Sequence, residues 1–440
     1  MPRRARTTDA EASGIPNPRR IALVIDYSLA YLGGAQSAFL DEARLLRQAG
    51  HEVTIVGPVR SGDRWPEEWV ASAADGRGRA AAIPIATRAT VPVVDLPLKR
   101  NTALVRYRLD REFWARRIDT VHVHSEFGLS AAAISVARRR GFTTAQTVHT
   151  FFWQAALPGG VPRWVARLGA LGVRGFGRML RGFPSRFVSP DGAPLAPAPI
   201  DAALRGLTAS LAARVGVVIS PSAHQAEKLR AAGLAPVAVV PNALAVAGSP
   251  GVPLAGVDSS LRIVWVGRLV PEKRLLEWIE AVRIAVARGA SIEVEVVGEG
   301  PLRAEAERAA RGLPVRFAGR LPRAEVHERM SAAHLVALTS NGFDNQPVTI
   351  VEALHARRGV FYVDAALTEG VDVAGVRASS PEPAAMAELL VELAADPARV
   401  VAASRAAAEG AAAFDPDAHV ARVLAAYAEA DRGSAARAGR

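Results

Sequence analysis

Short apolar runs alternate with amphipathic stretches along most of the chain, and that alternation predicts strands and helices in turn. Residues 20–26 are apolar apart from their ends and read as a strand. A glycine-containing loop over 32–36 follows, then an amphipathic stretch, 37–49, that Gly50 ends. Residues 52–57 form the next strand, so the chain opens with a strand-helix-strand unit of parallel type. Further strands are predicted at 91–96, 120–124, 143–149, 217–220 and 237–240, with helices such as 129–140 and 223–232 between them. Residues 57–88 read as loop, anchored by Trp65 and Trp69.

The second half restarts the pattern. Strands at 261–267, 292–298, 315–318, 335–339 and 360–364 alternate with helices at 272–288, 302–311, 323–333 and 348–356. Such alternation predicts mostly parallel sheets covered on both faces, hence an α/β fold with two doubly wound, Rossmann-like domains. Residues 246–260, rich in Gly, Pro and Ser, read as the linker between domains spanning 21–245 and 261–412. Two such domains are expected to face each other across a cleft, with ligands at the carboxyl ends of the strands. Helices at 383–395, 397–412 and 415–430 have no partner strands, and the segment 413–440 is expected to pack back on the N-terminal domain.

Composition narrows the classes. Half of the chain is hydrophobic, yet no run long enough to span a bilayer lacks charge, so no transmembrane helix is expected. Residues 1–20 are basic and polar without an apolar core; they read as a disordered lead-in, not a signal peptide. Cysteine is absent, which excludes disulfides, thiolate metal sites and thiol nucleophiles and fits a cytoplasmic protein. The net charge of +11 is carried almost wholly by arginine, the lysines being Lys99, Lys228 and Lys273. A basic balance suits nucleic acid or an anionic membrane, but here arginine is common throughout, so only a local cluster argues for a partner.

Candidate chemistry gathers at three strand ends in the second half. Gly267, Arg268 and Lys273 follow one strand, and a guanidinium with an ammonium suits a diphosphate. Gly298 and Gly300 follow another, and glycine permits close backbone approach. After the third strand come Asp344, a helix starting near Pro347, and Glu352 about a turn inside it. The helix N-terminus offers unpaired N–H groups to an anion. Read locally, this is also an ordinary strand-loop-helix unit with solvated acids. Paired acids suit glycoside hydrolysis too, but two acids on one loop-helix face more naturally bind one ligand than flank a bond.

These motifs resemble the donor half of retaining family 4 glycosyltransferases, which have the GT-B fold. The first half is similar as well: Gly33-Gly34-Ala-Gln36 resembles the family's N-terminal glycine loop, and the segments around His122, His124, Glu126 and His149 resemble its strand-end histidine segments. The resemblance runs from Ile21 to about Asp364. It implies a hexose (glucose or mannose) moved from a nucleotide sugar to an acceptor. Arg268 and Lys273 would hold the diphosphate, Glu352 the ribose, and Asp344 would face the donor sugar. The backbone of Asn345, Gln346, Pro347 and Val348 would bond sugar and phosphate, with Gly267, Gly298 and Gly300 lining the donor. His149 would lie beside the transferred sugar, and Gly33, Gly34, Gln36 and Glu126 would form an acceptor or phosphate loop. The N-terminal domain would take the acceptor and the C-terminal domain the nucleotide sugar. No metal or further cofactor is implied, and no Asp-x-Asp pair stands at a strand end.

Three departures are visible. Asp344 replaces the family's usual glutamate, one methylene longer. Arg357 and Gly359 stand near positions where the family has glycine and proline. His122 and His124 alternate along a strand, so at most one is expected to face a site. A non-catalytic nucleotide-sugar-binding partner, and another GT-B reaction such as nucleotide-sugar epimerisation, are the alternatives.

Residues 151–190 begin just after His149 and mix Arg163, Arg167, Arg174, Arg178, Arg181 and Arg186 with Phe151, Phe152, Trp153, Trp164, Leu168, Leu171 and Met179, without an acid. Within an insertion over 151–210, that mixture reads as an interfacial membrane segment on an anionic surface. No nucleic-acid-binding module accompanies it, and a buried insertion is the plain alternative. Gly169, Gly172, Gly175 and Gly177 argue against one continuous helix. The histidine segments resemble the diacylglycerol glycosyltransferase branch most, which implies a lipid acceptor and a peripheral location on the inner face of the plasma membrane.

Overall fold

The computed structural model describes residues 18–30, 33–70, 81–91, 96–149, 162–245, 249–257 and 259–438. The predicted lead-in up to residue 17, and Phe151, Phe152 and Trp153, lie outside them. The chain forms two compact units, Met1–Val240 with Pro416–Arg440, and Pro241–Asp415.

The first unit runs β1 (Arg20–Val24), α1 (Gly34–Gln48), β2 (Glu52–Val59), α2 (Glu67–Val70), β3 (Ala82–Ala86), β4 (Thr90–Val91), β5 (Leu96–Pro97), α3 (Ala103–Ala115), β6 (Thr120–Val123), α4 (Gly128–Arg140), β7 (Thr143–Thr147), α5 (Arg163–Arg181), α6 (Pro199–Ala212), β8 (Val217–Ser220), α7 (Ala223–Ala231) and β9 (Val237–Val239). The second runs β10 (Leu261–Val266), a 3-10 turn (Pro271–Lys273), α8 (Leu275–Ala287), β11 (Ile292–Val297), α9 (Arg303–Ala309), β12 (Val315–Gly319), α10 (Arg323–Ala332), β13 (Leu335–Leu338), α11 (Val348–His355), β14 (Gly359–Tyr362), α12 (Val371–Ala374), β15 (Gly375–Arg377), α13 (Pro383–Ala395) and α14 (Ala398–Ala411). The last helix, α15 (Pro416–Ala438), returns to the first unit.

Each unit is built on a parallel sheet. The first has seven strands in the order β3-β2-β1-β6-β7-β8-β9, the second six in the order β12-β11-β10-β13-β14-β15. The order reverses between β1 and β6, and again between β10 and β13, which is where doubly wound sheets bind ligands. Central strands such as β1 and β13 are buried along nearly their whole length, because helices cover both faces.

Where the fold departs from expectation, packing explains it. Of the strand expected at 91–96, residues 92–95 lie outside the described residues, and the ends belong to β4 and β5, a short antiparallel pair separate from the seven-stranded sheet. The third strand is instead β3, inside the stretch read as loop. It carries Pro84, tolerated because β3 lies at the sheet edge. Trp69 is fully buried there, and the Trp65 ring lies against Gly57. Despite its glycines, α5 is one continuous helix. A Cβ on Gly177 would meet Leu207 at 2.2 Å and Ser185 Oγ at 2.3 Å, so the glycine is what lets α5 approach α6. Arg181, buried at the end of α5, pins that contact by donating to the Leu207 carbonyl at 2.7 Å and Ser210 Oγ at 3.0 Å. The presumed linker is held on the second unit: the Gly251 N–H donates to the His355 carbonyl at 2.9 Å, and Arg358 reaches the Val252 carbonyl at 2.7 Å. In the first unit, α15 sits so close to the sheet that a Cβ on Gly216 would come within 2.8 Å of Ala430 Cβ.

At the start of α4 the backbone itself excludes a side chain. A Cβ on Gly128 would lie 1.9 Å from the Lys99 carbonyl oxygen and 2.8 Å from that of Leu180. Gly128→Ala is therefore expected to destabilise by about 2 kcal/mol or more. Gly172→Ala, which points into open space on α5, should cost nothing and gain a few tenths of a kcal/mol. Urea unfolding midpoints of the two variants check the contrast.

Candidate active site

Parallel pairing of β10 with β11 on one side and β13 on the other brings three strand ends together at one edge of the second unit. The loop after β10 and the loop after β11 are joined backbone to backbone. Gly267 N–H donates to the Val297 carbonyl at 3.1 Å, Leu269 N–H to that of Glu299 at 3.0 Å, and Leu302 N–H to that of Leu269 at 3.1 Å. This contact requires the glycines. Gly298 has φ +138°, and a Cβ there would sit 1.9 Å from the Gly267 carbonyl oxygen; one on Gly300 would sit 2.4 Å from that of Leu269. Their close approach is thus to the neighbouring loop of the same chain.

On this platform Lys273 closes the 3-10 turn and Asp344 stands in the loop after β13. Lys273 Nζ lies 2.6 Å from Asp344 Oδ1 and 2.8 Å from Oδ2, with both side chains largely buried. The ammonium also sits 5.7 Å from the centre of the Phe343 ring. A short chain of hydrogen bonds fixes the turn: Trp265 Nε1 donates to Thr339 Oγ1 at 2.9 Å, and that hydroxyl donates to the Lys273 carbonyl at 2.7 Å. Asp364, just past β14, fixes the other loop by accepting from the Gly342 N–H at 2.7 Å and the Ala366 N–H at 2.9 Å. Thr339 and Asp364 were not among the candidates; each is a polar residue immediately past an apolar strand.

The other donor-side candidates are placed as follows. Arg268 is exposed at the end of β10. Helix α11 begins at Val348, with Pro347 as its cap and Asn345 and Gln346 buried just before it. The Gln346 side chain is occupied by its own unit, its Oε1 accepting from the Asn242 N–H at 2.7 Å. Glu352 is mostly buried one turn into α11, and Arg323 Nε donates to it at 3.2 Å. Arg357 takes φ +56°, the left-handed conformation glycine adopts easily. Arg358 is buried and donates to the carbonyls of Ala333 at 2.6 Å and Val252 at 2.7 Å.

In the first unit, Gly33 caps α1, Gly34 is its first residue, and the Gln36 amide reaches the Ser28 carbonyl at 3.5 Å. Glu126 is buried beyond β6. Asp26, past β1, caps α4 from inside the sheet edge: it accepts from Ser125 Oγ at 2.8 Å and from the Leu129 and Ser130 N–H groups at 2.7 and 3.2 Å. Burial raises its carboxyl above the usual range, against those hydrogen bonds.

His149 Nε2 lies 3.0 Å from His124 Nδ1, and the rings stack. Burial pushes both imidazoles down, His124 to about 4 and His149 to about 3. The expectation that His122 and His124 point apart is wrong. Residues two apart on a strand share a face, and both rings turn toward Glu42 on α1. His122 is also bonded to Tyr427 of α15 at 2.9 Å and to Thr147 Oγ1 at 2.8 Å.

Two parallel, doubly wound units with loops gathered at the strand ends define the GT-B class of glycosyltransferases. Residues 32–247 match the family model described as Glycosyltransferase Family 4, and residues 260–396 match that of Glycosyl transferases group 1. The chain belongs to this glycosyltransferase family. Solved structures agree in fold. Sucrose-phosphate synthase from Thermosynechococcus elongatus is 15% identical with a TM-score of 0.63, over 93% of this chain and 99% of that one. HepE of Anabaena, solved in complex with UDP-glucose, is 15% identical with a TM-score of 0.57, over 92% and 99%. TarM of S. aureus, solved with UDP, is 14% identical with a TM-score of 0.54, over 77% of this chain and 61% of that one. Among curated proteins no sequence matches.

The hydroxyl of Thr339 makes both side-chain hydrogen bonds that link Trp265 to the Lys273 turn. Thr339→Val is expected to destabilise the second unit by about 2 kcal/mol, roughly 1 for each bond lost. Thr339→Ser should restore most of it. Denaturant unfolding followed by tryptophan fluorescence checks both.

Proposed function

We propose that the chain transfers a hexose, glucose or mannose, from a nucleotide sugar to an acceptor with retention of anomeric configuration, without a metal at the diphosphate. The observation that carries this reading is the Lys273–Asp344 pair, set at neighbouring strand ends beside the N-terminus of α11. When the bond from the anomeric carbon to the β-phosphate oxygen breaks, its electron pair goes to that oxygen. Lys273 and Arg268 supply fixed positive charge there, and the positive end of the α11 dipole adds to it. The acceptor oxygen bonds to the anomeric carbon and gives up its proton to the leaving diphosphate. In the second unit Asp344 meets the sugar and Glu352 the ribose; the backbone of Asn345, Gln346, Pro347 and Val348 bonds sugar and phosphate. UDP-glucose in the HepE structure makes a UDP-sugar the first donor to test.

For the acceptor we assign a membrane lipid, reached by peripheral docking. Among the described residues no helix is long and apolar enough to cross a membrane. Helix α5, however, turns outward Trp164, Leu168, Leu171 and Met179, which are 65%, 57%, 59% and 45% exposed. These positions form one stripe, and exposed Arg167, Arg174 and Arg178 flank it on one side. Asn101, just before α3, donates its N–H to the Leu180 carbonyl near the end of α5 at 2.7 Å, and Leu104 and Tyr107 of α3 are also exposed. Apolar rings bordered by arginine and free of acids match an anionic bilayer surface.

Two measurements test these points separately. Lys273→Ala and Glu352→Ala should each cut nucleoside diphosphate release from UDP-, GDP- or ADP-sugars by about 100-fold or more in folded protein; wild-type rates in both would contradict the site. Flotation with anionic vesicles should be strong at low salt and weak with zwitterionic vesicles, and a triple Arg167, Arg174, Arg178→Ala variant should lose it. Equal behaviour on both vesicles would refute lipid docking and leave the transfer reaction standing.

A further inference from the structure

We infer that the first unit binds a divalent transition-metal ion of the zinc class between Glu42, His122 and His124. Glu42 Oε1 lies 2.9 Å from His122 Nδ1 and 3.4 Å from His124 Nε2, and one ligating atom from each residue falls within 4.8 Å of the others. Ligands bound tetrahedrally at zinc-like distances stand about 3–3.5 Å apart, so small rotations of these side chains complete the set. All three are buried, at 4%, 0% and 2% exposure. Glu42 Oε1 and His124 Nε2 are buried without a hydrogen bond of acceptable geometry, although they face each other. Buried polar atoms are nearly always satisfied, and a shared cation satisfies both at once.

The outer partners that orient metal-binding imidazoles are also in place. His122 Nε2 meets Thr147 Oγ1 at 2.8 Å, and His124 Nδ1 meets His149 Nε2 at 3.0 Å; the Tyr427 hydroxyl, 2.9 Å from His122 Nδ1, would yield that atom to the ion. An ion on His124 Nε2 places that ring's proton on Nδ1, from which it donates to His149. A fourth ligand is offered by α15: His419 Nε2 lies 3.6 Å from Glu42 Oε2. Two or three imidazoles with one carboxylate suit zinc, cobalt or nickel, not the all-oxygen shells of magnesium or calcium. The ion would tie α15 to α1 and β6, a structural task separate from the donor chemistry of the second unit, and the inference stands or falls independently of the proposed reaction.

The test uses the full chain without a histidine tag, dialysed into metal-free buffer and titrated with Co²⁺ and Zn²⁺. Wild-type protein should take up about one equivalent, with the visible bands of tetrahedral cobalt, and its thermal midpoint should rise with Zn²⁺ and fall again with EDTA. Glu42→Gln and His124→Asn should lose that equivalent, whereas His327→Asn, beside His355 at a ring distance of 5.3 Å, should keep it. Wild-type protein that binds no ion tightly and is indifferent to EDTA overturns the inference, and so does binding retained in both cluster variants. If the cluster variants fail to fold, the wild-type stoichiometry, cobalt spectrum and EDTA response decide it.

Discussion

Parallel pairing of β10 with both β11 and β13 is the constraint on which the candidate site depends. A parallel strand points its carboxyl end the same way as its neighbours, so residues far apart in sequence reach one edge of the sheet. Lys273 and Asp344 meet for that reason. Their loops cannot drift, because the backbone bonds around Leu269 lock two of them and Asp364 braces the third. The glycines at 298 and 300 serve this locking, and the lysine is held before any ligand arrives. Preorganised charge of that kind is what makes a binding edge catalytic when charge develops on a leaving group.

Much of this was legible in the chain itself. Period-two apolar runs followed by glycine marked β10 and β11, and the cations and acids past strand ends marked the platform. Other features rest on contacts that local patterns do not carry. Edge strand β3 contains a proline and was hidden by it. Helix α5 survives its glycines because Gly177 lies against α6, a partner invisible to helix propensity. Thr339 and Asp364 act through backbone groups on other loops, so their types alone said little. The stretch 249–257 looked like a free linker by composition, yet its carbonyl and amide groups are bonded to the second unit.

The interior of the first unit follows a different logic. Glu42, His122, His124 and Tyr427 come from α1, β6 and α15, and they form a polar core where a doubly wound sheet ordinarily has only aliphatic side chains. Burial works to raise the Glu42 carboxyl, but the imidazoles of His122 and His124 outweigh it and hold it well below the usual carboxylate range. A charged group this deep persists only with partners on every side. Those partners reach from the C-terminal helix to His149, so the anchoring of α15 and the orientation of that histidine share one network.

The central claim is that the locked strand-end loops of the second unit hold a nucleoside diphosphate. Calorimetric titration with UDP, GDP and ADP tests it most directly, on wild-type protein and on Lys273→Ala. Wild-type protein should bind one nucleotide with clear preference, and the variant about 30-fold more weakly, as expected for losing a charge-assisted contact of about 2 kcal/mol. Equal affinity in wild type and variant, or no binding of any of the three, would contradict it.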